Sequence, residues 1–267
     1  MQITRMNVTP EMAQSWLDAA NTGNRTMTRQ VVSKYADDMI AGRWIDTHQN
    51  AIAFYDDGSL ADGQHRLGAV AMAGISVQMF VAHGLDRRAG GVIDQGRARS
   101  TADAITIGRL CGLTKYVNEA VAMVRIVKLA ETGRQTVMSA QNIADHIDRM
   151  AELCSYASHA LSGAGGGIKN SPVRAAVAVA SKFIGRNTSD GFCRVIVSGM
   201  PEKPEDATII TLRNRLMTST HRKGGDERIA NYRMVMRFIK AYDQGIILTV
   251  AKSTGELAYR LGVFDEK

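Results

Sequence analysis

Gly58-Ser59-Leu60-Ala61-Asp62-Gly63-Gln64-His65-Arg66-Leu67-Gly68-Ala69-Val70 is the stretch that decides how this chain folds. It passes from an extended segment into a helical one, and its polar centre, Asp62 to Arg66, falls at the change. Upstream, Ala51-Ile52-Ala53-Phe54-Tyr55 is apolar and β-prone, and Asp56-Asp57-Gly58 forms a tight turn. Downstream, Leu67 to Ala73 predicts a helix closed by Gly74, and Val77 to Ala82 alternates like a strand. Further back, Thr9-Pro10-Glu11 opens a helix to about Ala20, with Thr as N-cap and Pro in the first helical position. Asn21-Thr22-Gly23-Asn24 breaks that helix. A second one covers Thr28 to Ala41, with Val31, Val32, Tyr35 and Met39 on one face, and Gly42 ends it. Helix, strand, turn, loop, helix, strand is the order of a small α/β unit of roughly 80 residues.

Beyond Ile105 the strand signals almost vanish. Helices are expected at about 114–132, 139–161, 171–185, 188–198, 204–219 and 225–243. Ser171-Pro172 and Lys203-Pro204 mark two starts, and Glu205 and Asp206 fall where the helix dipole favours acids. Ser162-Gly163-Ala164-Gly165-Gly166-Gly167 predicts a mobile loop. The fold class is therefore α+β: an α/β unit over residues 1–104, then an all-helical basic region over 105–267, the two packing as one body for want of a clear linker.

At 267 residues, with 45% hydrophobic and 22% charged residues, the composition is globular and excludes a disordered chain. The three cysteines, Cys111, Cys154 and Cys193, are too few and too scattered for a disulfide framework or a CxxC zinc site. Neither a transmembrane run nor a signal core is present, so a cytoplasmic location without a membrane partner is expected. His48, His83, His146, His159 and His221 lack metal-ligand spacing. The 14 methionines are scattered and read as core filler. Gly163 to Ser171 fails the phosphate-loop spacing because Ile168 separates Gly167 from Lys169.

Charge is unevenly spread. Residues 1–104 carry a net −1 and residues 105–267 a net +8, so the helical half suits a polyanion. Its densest part, residues 207–240, holds eight Lys/Arg and two acids. Arg222, Lys223, Arg228, Arg233, Arg237 and Lys240 are the candidate nucleic-acid contacts, the last three on one face at i, i+4, i+7. The alternative is a merely solvated face.

The run Asp62 to Arg66 is the densest polar cluster of the α/β unit. Glycine allows close backbone approach to a ligand, a helix N-terminus offers unpaired N–H groups, and His65 and Arg66 supply donors for phosphate oxygens. The alternative is an ordinary N-cap by Asp62 with surface polar residues after it.

Residues 21–99 resemble the ParB/sulfiredoxin-like superfamily, in its DGQHR branch of phages and mobile elements. The matching residues are Asn24-Arg25, Tyr35 to Met39, Gly42-Arg43-Trp44, Gly58 to Val70 and Ile93-Asp94-Gln95-Gly96-Arg97-Ala98-Arg99. The resemblance implies nucleotide handling. ParB proteins use a Gly-Glu-Arg-Arg segment for CTP, sulfiredoxin a Gly-Cys-His-Arg segment for ATP, and ParB-like kinases an Asp-Gly-x-His-Arg version; Gly63-Gln64-His65-Arg66 is in register with all three. Gln64 replaces the sulfiredoxin cysteine, so sulfinic acid reduction is not expected. It also replaces the ParB glutamate, which argues against ParB-type CTP hydrolysis. The implied ligand is ATP or CTP, with or without Mg²⁺. The implied roles are Gly63 and the following N–H groups on the phosphates, His65 and Arg66 on phosphate oxygens, and Asp62 as metal-orienting group or base. Asn24 and Arg25 match substrate-side residues, and Asp94, Arg97 and Arg99 are expected to line the same cleft.

Three functions follow as expectations: phosphoryl transfer or NTP hydrolysis on or near DNA in a bacterial host; an NTP-gated DNA clamp or regulator with little turnover; and, last, a metal-dependent nuclease. Nucleotide and DNA are the expected partners, and a homodimer is admitted.

Overall fold

The computed structural model describes residues 1–22, 24, 26–88, 100–135, 137–218 and 225–264. Arg25, Asp94, Arg97, Arg99, Arg222 and Lys223 lie outside the described residues. The architecture is α+β, and the chain divides into two compact units. The first comprises residues 1–99 and 136–142, the second residues 100–135 and 143–267. The division at residue 99 differs from the expected 104, because residue 104 lies inside a helix, α4 (Thr101–Gly108), that the sequence reading did not assign. Ser100 caps α4 reciprocally with Asp103.

The first unit is built on a four-stranded sheet of order β1-β4-β2-β3, made of β1 (Gln2–Val8), β2 (Ile52–Tyr55), β3 (Leu60–Asp62) and β4 (Val77–Leu85). β4 runs antiparallel to β1 and parallel to β2, while β2 and β3 form the antiparallel hairpin. Val77, Met79 and Val81 alternate inward along β4 and meet α1 (Pro10–Ala20), α2 (Arg29–Ile40) and α3 (Gln64–Ala73) in one core with Val8, Ile52, Phe54, Leu60, Leu67 and Val70. Thr9 caps α1 by accepting the Met12 N–H, and Gly42 and Gly74 take positive φ after α2 and α3.

Three local expectations change here. β1 was not foreseen; it is an edge strand exposed along most of its length, so only Met6 and Val8 carry a burial signal. β4 extends to Leu85 rather than stopping at Ala82. α3 begins at Gln64, not Leu67, because Gly63 (φ 111°, ψ 4°) turns the chain abruptly enough for the polar run itself to form the first helical turn.

In the second unit α5 (Val117–Thr132) packs on α8 (Ser171–Ile184), and α8 packs on α11 (Gly225–Asp243). The single helix expected at 139–161 is two, α6 (Ala140–Arg149) and α7 (Ala151–Ala160), because Met150 leaves helical geometry and buries its side chain at the break. α9 covers Arg186–Ser198. Pro204–Asp206 forms a short 3-10 turn before α10 (Ala207–Thr218). The expected mobile loop at 162–167 is instead turned back and leads into a 3-10 helix, Gly166–Lys169, anchored by fully buried Ile168. Gly166 takes a positive φ of 52° at the start of this turn, a conformation that favours glycine. No helix among the described residues is long and apolar enough to cross a membrane.

Burial pushes the Cys154 and Cys193 thiols up to about 12. Cys111 is only partly buried. A disulfide-exchange reagent at pH 8 is therefore expected to titrate one thiol in the folded protein and all three after denaturation. Fast reaction of two or three native thiols would contradict the packing around α7 and α9.

Candidate functional site

The site is the junction of β3 and α3. Gly63 sits there because no other residue fits. Its φ is positive, and a Cβ would lie 2.7 Å from Ile52 Cδ1 and 3.2 Å from Ile52 Cα. The left-handed turn swings α3 back so that Asp62 and Arg66, four residues apart, face each other. Arg66 Nη2 donates to Asp62 Oδ2 at 2.8 Å, and the Gly63 N–H donates to Asp62 Oδ1 at 2.6 Å. The Arg66 side chain is 14% exposed and also donates to the Ala51 carbonyl at 3.3 Å; its Nε is buried without a partner.

The other members of the run face residues 21–28. Gln64 is buried and accepts from Asn21 Nδ2 at 3.3 Å. His65 Nε2 accepts the Thr28 N–H at 3.0 Å, which puts the proton of the neutral ring on Nδ1. Asn24 Nδ2 donates to the Leu60 carbonyl at 2.8 Å and to Asn21 Oδ1 at 2.9 Å. Thus the run stitches a distant connection to the amino end of α3.

This geometry gives several residues of the run a structural role. Both Asp62 oxygens accept bonds within the run, and its side chain is 42% exposed. The Gly63 N–H is taken up by Asp62 Oδ1. His65 uses Nε2 as the acceptor that holds the start of α2. Asn24 acts as a tie for the connection. The sequence reading took Asn21 only as a helix breaker and did not single out Thr28 or Ala51. Asparagines that can reach two backbone groups were the signal available for this role. Nearby, Ser59 holds the Asp57 carboxyl below its usual range by hydrogen bonding, helped by Arg87. A groove of about 890 Å³ on this unit runs along α1, lined by Pro10, Glu11, Gln14, Asp18 and Ala71, and not by the run.

On the second unit, α11 carries Arg228, Arg233, Arg237 and Lys240. Arg228 and Lys240 are exposed. Arg233 and Arg237 are half-buried, and Arg237 Nη1 donates to the Lys252 carbonyl at 3.1 Å. The expected open basic stripe is therefore partly covered by the residues that follow α11. No group of three or more His, Cys, Asp or Glu side chains placed to hold a metal ion occurs among the described residues. Compared with family models, curated proteins and solved structures, the chain matches none of them.

Proposed function

We propose that this is a nucleotide-responsive DNA-binding protein, in which the β3–α3 junction holds a nucleoside triphosphate and the helical unit contacts DNA. The observation that carries this reading is the stitching of residues 21–28 to the amino end of α3 by Asn21, Asn24 and Thr28. A helix amino end favours phosphate electrostatically. Beside it stands the Arg66 guanidinium, and Arg25 belongs in sequence to the same connection. ATP or CTP is the proposed ligand, with Mg²⁺ as counterion. Because Asp62 holds both Arg66 and the Gly63 N–H, the gate reading is favoured over phosphoryl transfer.

The test is thermal stability with ATP, CTP, GTP or UTP plus Mg²⁺, with and without DNA. One nucleotide, at about a hundredfold excess over its Kd, is expected to raise the Tm of the first unit by roughly 5 °C or more. Arg25→Ala should abolish that shift without lowering the ligand-free Tm. Phosphate release should stay near background. DNA-stimulated release that Asp62→Ala removes would favour the transferase or hydrolase reading. Absence of any nucleotide shift would overturn nucleotide binding altogether.

A further inference from the structure

Residues 246–264 contain no regular helix or strand, yet they are fastened to the helical unit at successive points. The Thr208 hydroxyl donates to the Ile246 carbonyl at 3.0 Å and accepts the Leu248 N–H at 2.9 Å. Arg237 holds the Lys252 carbonyl, and Tyr259 stacks on Phe183 with ring centroids 5.0 Å apart. At the far end, the buried Glu131 carboxylate takes the N–H of Leu261 at 2.6 Å and of Gly262 at 3.2 Å. Phe264 then packs on the His146 ring.

What lies on α11 beside this segment is unusual for a structural contact. Arg233 and Arg237 are one helical turn apart on the same face. Arg233 Nε is buried without a partner, and neither arginine pairs with a carboxylate among the described residues. Arg237 gives its bond to a neutral backbone carbonyl, and an ionised oxygen there would add the attraction of opposite charges. The Lys252 carbonyl thus stands where an anionic oxygen would be preferred. Exposed Lys240 continues the same face one turn on.

We propose that residues 246–264 are a displaceable strap over a phosphate-binding face of α11, latched by Glu131, and that the phosphodiester backbone of DNA takes Arg237 from the Lys252 carbonyl. This rests on the reading that the helical unit binds DNA. Opening breaks the Thr208 bonds, the arginine bonds of Arg237, Arg260 and Arg149 to backbone carbonyls, and the two N–H bonds to the Glu131 carboxylate. Binding replaces them with charge-assisted contacts and released counterions. The strap therefore sets a threshold: weak or isolated anions leave it closed, and a continuous polyanion opens it.

The experiment uses the full chain and a fluorescein-labelled duplex across a salt series, with hydrogen exchange of residues 246–264 followed with and without DNA. Glu131→Gln is expected to lower the Kd for DNA roughly tenfold at fixed salt by populating the open strap. In the wild type, DNA should speed exchange at Leu261 and Gly262. Arg237→Ala should weaken binding and reduce the salt slope by about one. If wild type binds DNA while those amides stay protected and Glu131→Gln binds no tighter, the strap is refuted and DNA binding stands. If neither protein binds DNA even at low salt, the α11 reading fails and the strap with it. Should Glu131→Gln not fold, the exchange measurement on wild type decides alone.

Discussion

Gly63→Ala is expected to destabilise the first unit by about 3 kcal/mol and lower its Tm by about 15 °C. Two costs add. Alanine at φ 111° is strained, by about 1–2 kcal/mol. The new methyl also has nowhere to go, since Ile52 is fully buried, its Cδ1 would be 2.7 Å away and its Cα, which cannot rotate aside, 3.2 Å away. Overpacking of this kind adds about 1–2 kcal/mol more. Domains of this size hold only about 5–15 kcal/mol in total, so the loss is large. Both tryptophans, Trp16 and Trp44, lie in the first unit, so tryptophan emission during denaturation reports this unit alone. An unchanged midpoint with lost nucleotide binding would mean that the glycine serves ligand approach, and the packing argument would fail.

Asp38→Ala is expected to cost about 2–3 kcal/mol, again read by tryptophan emission. Asp38 is 8% exposed and accepts from Arg43 Nε at 3.0 Å and from the Ser139 hydroxyl at 2.7 Å. Ser139 is buried too, and its Oγ accepts the Asn142 N–H at the start of α6. Removing the carboxylate leaves a largely covered guanidinium and a buried hydroxyl without their acceptor, which costs more than the bonds themselves contribute. Hydrogen exchange at residues 137–142 should quicken in the variant. Unchanged exchange there would show that Asp38 is not what holds this segment. Asp38→Asn, which keeps one acceptor oxygen, should recover part of the stability.

Cap and breaker chemistry made several elements legible. Thr9-Pro10 and Ser171-Pro172 open helices where they were expected to, and α11 spans residues 225–243 as anticipated. Elements whose signal is tertiary were not legible. β1 is an edge strand whose side chains face mostly solvent, and the break between α6 and α7 falls at a methionine whose side chain is buried. The candidate site was legible as a place but not as a set of roles. Asn24, Asp62, Gln64, His65 and Arg66 do gather at one junction. Their bonds run to one another and to Asn21, Thr28, Ala51 and Leu60, pairings set by a left-handed glycine and by contacts up to 43 residues apart. Residue type alone could not distinguish a phosphate donor from a tie.

The return of residues 136–142 to the first unit has a consequence for synthesis. On the ribosome, the first unit cannot be completed until Asn142 has emerged. By then α5 has already been made, with the apolar face formed by Val121, Val124 and Val127. The helix it packs on most extensively, α8, is not complete until Ile184. During that interval the nascent chain carries an apolar helix without its main partner, so elongation between residues 142 and 184 is its stretch of greatest aggregation hazard and the natural point for a chaperone to engage.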